Sequence, residues 1–85
     1  MNNIRVTILT SENCSFCDQA KSLFERLSKE YPIIVEVLDL STREGEEAAL
    51  KTGALFPSSV LIDNRLFCYG RPSEAIIRKE LNRRT

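Results

Sequence analysis

Two β-branched apolar runs, Ile4 to Thr10 and Ile33 to Leu40, flank one amphipathic stretch, and this order restricts the fold more than any other feature of the chain. The first run alternates with period two, Ile4, Val6 and Ile8 sharing a face, and reads as a strand. Between the runs Phe16, Ala20, Leu23, Phe24 and Leu27 recur at helical spacing, opposite Asp18, Lys21, Glu25, Arg26 and Lys29. This helix is expected to reach about Glu30, with Lys21–Glu25 and Glu25–Lys29 as i,i+4 pairs, and to stop before Pro32. The second run is apolar on both faces apart from Glu36 and Asp39, the pattern of a strand in a covered parallel sheet. The helix between them is then the crossover.

The rest of the chain continues in short elements. Ser41-Thr42-Arg43-Glu44 has capping-box spacing, with Ser41 as N-cap and Glu44 reaching back, and opens a helix through Ala48, Ala49 and Leu50 that Gly53 stops. After Leu55-Phe56-Pro57, the runs Ser58 to Ile62 and Arg65 to Tyr69 are joined by Asp63-Asn64, residues that tolerate positive φ, and read as a tight hairpin. Gly70 breaks the strand. Pro72-Ser73-Glu74 opens a last helix with proline in its first turn and Ile76, Ile77 and Leu81 as its apolar stripe. The order is β-α-β-α-β-β-α, an α/β fold with one parallel crossover and one hairpin.

A chain of 85 residues makes one domain, residues 1–85, and buries only about 60–65% of the surface its unfolded form exposes. Twelve basic residues balance twelve acidic ones, but residues 1–50 hold five against nine and residues 51–85 hold seven against three. The positive excess falls in the last helix (Arg78, Lys79, Arg83, Arg84), where cations suit the dipole, and no interleaved aromatic pattern marks a nucleic-acid surface. No apolar run approaches the ~18 residues that span a bilayer, and Met1-Asn2-Asn3 leads into a strand without a secretory pattern, so a cytoplasmic protein that binds no membrane is expected.

Cys14-Ser15-Phe16-Cys17 sits where the first strand gives way to the first helix. Two cysteines three apart on the first turn of a helix can close into a disulfide and reopen, since both sulfurs lie at one end of a rigid element. Unpartnered N–H groups and the positive end of the dipole favour thiolate there, and thiolate is the attacking species in disulfide exchange. In a reducing compartment three cysteines read as chemistry or metal binding rather than as a disulfide scaffold. A metal reading remains open: zinc needs four ligands, the chain has no histidine, and only Cys68 could join the pair within one chain, so a carboxylate or a partner would complete the site. A shared iron–sulfur cluster would likewise need a second chain or external thiols.

A Cys-x-x-Cys beside a βαβ pattern is a thioredoxin-like redox signature. With Phe56-Pro57 before the third strand and Gly70 after the fourth, the chain resembles the glutaredoxins and small glutaredoxin-like thioredoxins over nearly its full length. That resemblance implies a four-stranded mixed sheet flanked by three helices, and a thiol–disulfide oxidoreductase serving electron transport and cell redox homeostasis. It implies Cys14 as nucleophile, Cys17 as resolving thiol and Pro57 as a cis-proline facing them. Phe16, Phe56, Pro57, Gly70 and Arg71 would contact the substrate, Arg71 through a carboxylate; as a loop residue, Arg71 also reads as simply solvated. Disulfide-bearing proteins are the expected partners of a monomer that holds no cofactor or metal tightly and draws on an external reductant, a thioredoxin reductase-type enzyme or glutathione. The Gly-Gly and acidic pair that help glutaredoxins hold glutathione are replaced here by Gly70-Arg71-Pro72-Ser73-Glu74. The alternative is a non-catalytic module of the same fold that binds a metal, an iron–sulfur cluster or a partner through its cysteines. Phe16 reads as core or as exposed rim, and Cys68 as a small hydrophobe or a regulatory thiol.

Overall fold

In a computed structural model, described for residues 3–85, the elements run β1 (Ile4–Thr10), α1 (Ser15–Leu27), β2 (Ile33–Asp39), α2 (Arg43–Thr52), β3 (Ser59–Ile62), β4 (Arg65–Cys68) and α3 (Glu74–Arg84). The sheet order is β2-β1-β3-β4. β1 pairs parallel with β2, Val6 opposite Val35, and antiparallel with β3, Ile8 opposite Val60. β3 and β4 form the expected hairpin, and Asp63 and Asn64 at its tip have φ of 51° and 67°, the primed-turn geometry that matches strand twist.

The alternation of β1 and β3 distributes the core over two faces. On one, Ile4, Val6, Ile8, Val60 and Ile62 pack with Ala20, Leu23, Phe24 and Leu27 of α1 and with Ile77 and Leu81 of α3. On the other, Leu9 and Leu61 meet Ala49 of α2 and the following Ala54. β1 is therefore covered on both sides, and Thr7 and Thr10 are buried with it.

β2 departs from the sequence expectation. It is an edge strand, with Ile34 and Val37 about half exposed. The second face has only the ten-residue α2 to cover it, and that helix packs near Leu38 and Leu40, leaving Ile34 and Glu36 open. Helix α1 also ends sooner than Pro32 requires. Ser28 caps it, donating its N–H to Phe24 at 2.9 Å, and Tyr31 turns back onto the Leu27 carbonyl. Lys21 lies 3.9 Å from Asp18, and among the described residues neither Lys21–Glu25 nor Glu25–Lys29 forms an ion pair.

The cap of α2 is Thr42, not Ser41. Thr42 Oγ1 accepts the Gly45 N–H at 3.1 Å, while the Ser41 N–H is taken by the Asp39 carboxylate at 2.8 Å; with that side chain beside it, the turn shifts the cap by one residue. Gly53 closes the helix in the left-handed region at φ 76°, as a C′ glycine can without Cβ strain. For α3 the cap is Ser73, so Pro72 precedes the helix instead of entering its first turn, and Ile76 points to solvent while Ile77 and Leu81 are buried.

Charged side chains join α3 to its neighbours. Arg78 bridges Glu30 beyond α1 (2.9 Å) and Glu74 (2.8 Å), and Arg84 links Glu80 to Asp63 of the hairpin. Hydrogen bonds from Arg83 and Arg84 hold the Glu80 carboxyl down to about 2, and Arg78 lowers Glu30 and Glu74. Carboxyls depressed in the folded state contribute stability above their unfolded range and lose it as pH falls through the folded value. Denaturant midpoints are thus expected to hold down to about pH 4.5 and decline toward pH 2, less steeply at high salt; a flat profile would remove this network as a contributor. A second expectation concerns Gly45, where a Cβ would overlap the carbonyl of Asp39. Gly45→Ala should push α2 off the end of β2, its overpacking cost exceeding alanine's gain in helix propensity for a net loss of about 1–2 kcal/mol in urea unfolding.

Candidate active site

Cys14 is both a candidate reactive residue and the N-cap of α1. Asn13 before it takes φ 56°, one of the few non-glycine types that tolerate this region, and turns the chain so that Cys14 enters the helix in extended geometry. Its sulfur accepts the Cys17 N–H at 3.1 Å. Cys14 and Cys17 are joined in a disulfide, Cα atoms 5.2 Å apart. The two sulfurs differ in surroundings: Cys14 is half-buried at the surface, whereas Cys17 is 1% exposed. Cys17 Sγ lies 3.8 Å from the Leu9 carbonyl near the end of β1.

The disulfide opens on a groove of about 410 Å³. Ser11 and Asn13 line it after β1, Cys14 to Phe16 at the head of α1, Phe56 to Ser58 before β3, and Tyr69 and Gly70 after β4. Of the residues singled out in the sequence, Phe16, Phe56, Pro57 and Gly70 are thus gathered at the cysteines. Arg71 is exposed and lies outside the lining. Phe16 belongs to the exposed rim.

The expectation of a cis bond at Pro57 is corrected: the described residues contain no cis peptide. The loop turns instead at Ser58, whose φ is 63°. Ser58 is held by its N–H, which donates to the Leu9 carbonyl at 2.7 Å, and by its buried hydroxyl, which donates to the Gly70 carbonyl at 3.1 Å and accepts the Gly70 N–H at 3.0 Å. One side chain therefore fastens together two of the loops that line the groove.

Tyr69, expected only as the end of a strand, lies beyond β4 and lines the groove. It stacks on Phe56, ring centroids 5.4 Å apart and planes 28° apart; an aromatic immediately before the strand-breaking Gly70 was its only signal. Cys68 is half-buried against the α1–α3 face of the core, where burial pushes its thiol up, the behaviour of a packed rather than a reactive sulfur.

No family model matches the chain. It is similar to a protein named thioredoxin from Methanocaldococcus jannaschii, with 24% identity over 84 residues, 99% of either chain. A protein named probable thioredoxin from Archaeoglobus fulgidus is 26% identical over 76 residues, 89% of this chain and 84% of that one. The fold is thioredoxin-like. The four-stranded mixed sheet and three helices fit the fold that these distant relatives suggest; a glutaredoxin-like resemblance rests on the sequence motifs alone. No helix among the described residues is long and apolar enough to cross a membrane.

In this site Ser58 should be the main structural fastener. Ser58→Ala leaves the buried Gly70 N–H without its partner and is expected to cost about 1–3 kcal/mol. Ser58→Gly should cost less, since glycine accepts the positive φ without strain. Urea denaturation of both variants checks the order; equal loss in the two would mean that backbone conformation contributes nothing.

Proposed function

We propose that the protein is a thiol–disulfide oxidoreductase working through Cys14 and Cys17 on the disulfides of other proteins. The observation that carries this reading is the asymmetry of one disulfide: a half-buried sulfur capping a helix at a groove, bridged to a fully buried one.

In the reduced protein the Cys14 thiolate, favoured by the helix end, attacks one sulfur of a substrate disulfide. The other substrate sulfur leaves as thiolate and takes a proton, and a mixed disulfide remains. The Cys17 thiol then loses its proton and attacks Cys14 Sγ, releasing the second substrate thiol and closing the Cys14–Cys17 bridge. Two electrons pass to the substrate and the bridged form is the product. The starting state is restored by the dithiol of a reductase, which becomes a disulfide, or by two glutathione molecules, which leave as glutathione disulfide. Direction depends on potential, which among related redox proteins spans roughly −270 to −120 mV. A monomer suffices for this cycle, because each step needs one site only, and a reducing cytoplasm would keep the pair open for the first attack.

The same pair would serve a metal or cluster poorly on its own. Among the described residues no group of three His, Cys, Asp or Glu side chains gathers in a way that could hold a metal ion, so other ligands would have to come from a second chain or from external thiols.

Reduction of a model protein disulfide, with a thioredoxin reductase system and with glutathione run side by side, tests the proposal and names the donor. Cys14→Ser should abolish turnover, whereas Cys17→Ser should retain the first attack and accumulate a mixed disulfide visible by intact mass. Equal residual turnover in the two variants contradicts the assigned roles. Wild-type thiols that never close reversibly, together with stoichiometric metal in the purified protein, contradict the redox reading as a whole.

A further inference from the structure

The groove beside Cys14 differs in chemistry from the rest of the chain. Charged residues make up 28% of the sequence, yet none of the ten residues that line the groove carries a charged side chain. Its most exposed large groups are two rings from different loops. Phe56 and Tyr69 stack on each other while remaining 59% and 61% exposed. Rings left this open retain apolar surface that further contact can remove from water. Any disulfide presented to Cys14 must lie along this groove, so the residues flanking the attacked cysteine are what the rings meet.

Resting on the redox reading above, we infer that Tyr69, supported by Phe56, is a specificity-determining residue that selects disulfides whose cysteine is flanked by an aromatic side chain and disfavours flanks bearing carboxylates. A flanking ring extends the existing stack, in the offset or edge-to-face geometry aromatic groups prefer. A flanking carboxylate gains nothing from the stack: it would lose water in a groove that offers it no cation, the adjacent Arg71 lying outside the lining. The contact is made by the ring face, so the Tyr69 hydroxyl is dispensable.

The test uses full-length protein reduced beforehand, so that Cys14 and Cys17 supply both electrons and no further reductant is needed. Each turnover consumes one peptide disulfide and yields two peptide thiols and the Cys14–Cys17 bridge. Symmetric peptide disulfides with phenylalanine, alanine or glutamate beside the cysteine are compared by their second-order rate constants. The phenylalanine peptide should react about 2- to 10-fold faster than the alanine peptide, the increment of one aromatic pair, and the glutamate peptide slowest. Tyr69→Phe should keep the phenylalanine-to-alanine ratio. Tyr69→Leu, which preserves apolar bulk, should bring it close to one.

A wild-type ratio near one, or a ratio that survives Tyr69→Leu, overturns the specificity assignment while leaving disulfide exchange intact. Failure of the wild-type protein to reduce any of the three peptides overturns the exchange reading, and the specificity assignment with it.

Discussion

The carbonyl of Leu9 is the point at which three parts of the molecule meet. It ends a strand buried on both faces, accepts the Ser58 N–H at 2.7 Å and stands 3.8 Å from the buried sulfur of Cys17. The core on either side fixes β1, β1 fixes this oxygen, and the oxygen fixes the loop facing the disulfide. Because interiors are close-packed and transmit displacement, a shift of β1 would reach the inner sulfur and the groove wall together. The outer sulfur is positioned differently, by the turn at Asn13 and its own cap on the helix. Two cysteines three residues apart thus acquire unlike surroundings from unlike neighbours.

That division accounts for what could be read from the chain alone. The order of elements is written in local periodicity, and β1, α1 and the hairpin at Asp63-Asn64 follow from it. The place of Cys14 at a helix start is equally local. The sequence cannot show which strand lies at the edge, because strand order comes from pairing between distant segments, and the apolar run of β2 is compatible with either position. The cap of α2 rested on a choice between adjacent Ser41 and Thr42, settled by the Asp39 side chain taking the Ser41 N–H. The Phe56–Tyr69 stack spans two loops thirteen residues apart, and no spacing rule announces it. Nor does the strand pattern from Ser58 to Ile62 show that the Ser58 hydroxyl reaches Gly70, twelve residues on.

Charge and apolar exposure are separated across the surface. The carboxylate–guanidinium network runs along the contact of α1 with α3 and out to the hairpin, while no charged side chain lines the groove beside the disulfide. Exposed pairs add little each and are weakened by salt, so the small core carries most of the stability. Linking charges at the periphery leaves the face around the disulfide to be shaped by contact chemistry.

The edge position of β2 carries a consequence for solubility. Its outward N–H and C=O groups can template a foreign strand, and Ile33, Ile34 and Val35 are residues that favour such pairing. Pro32, which has no N–H to donate, stands immediately before the strand, and the exposed Glu36 sets a charge at its centre. Such features discourage edge-to-edge growth in natural sheets. In this molecule they act as gatekeepers for an open sheet edge.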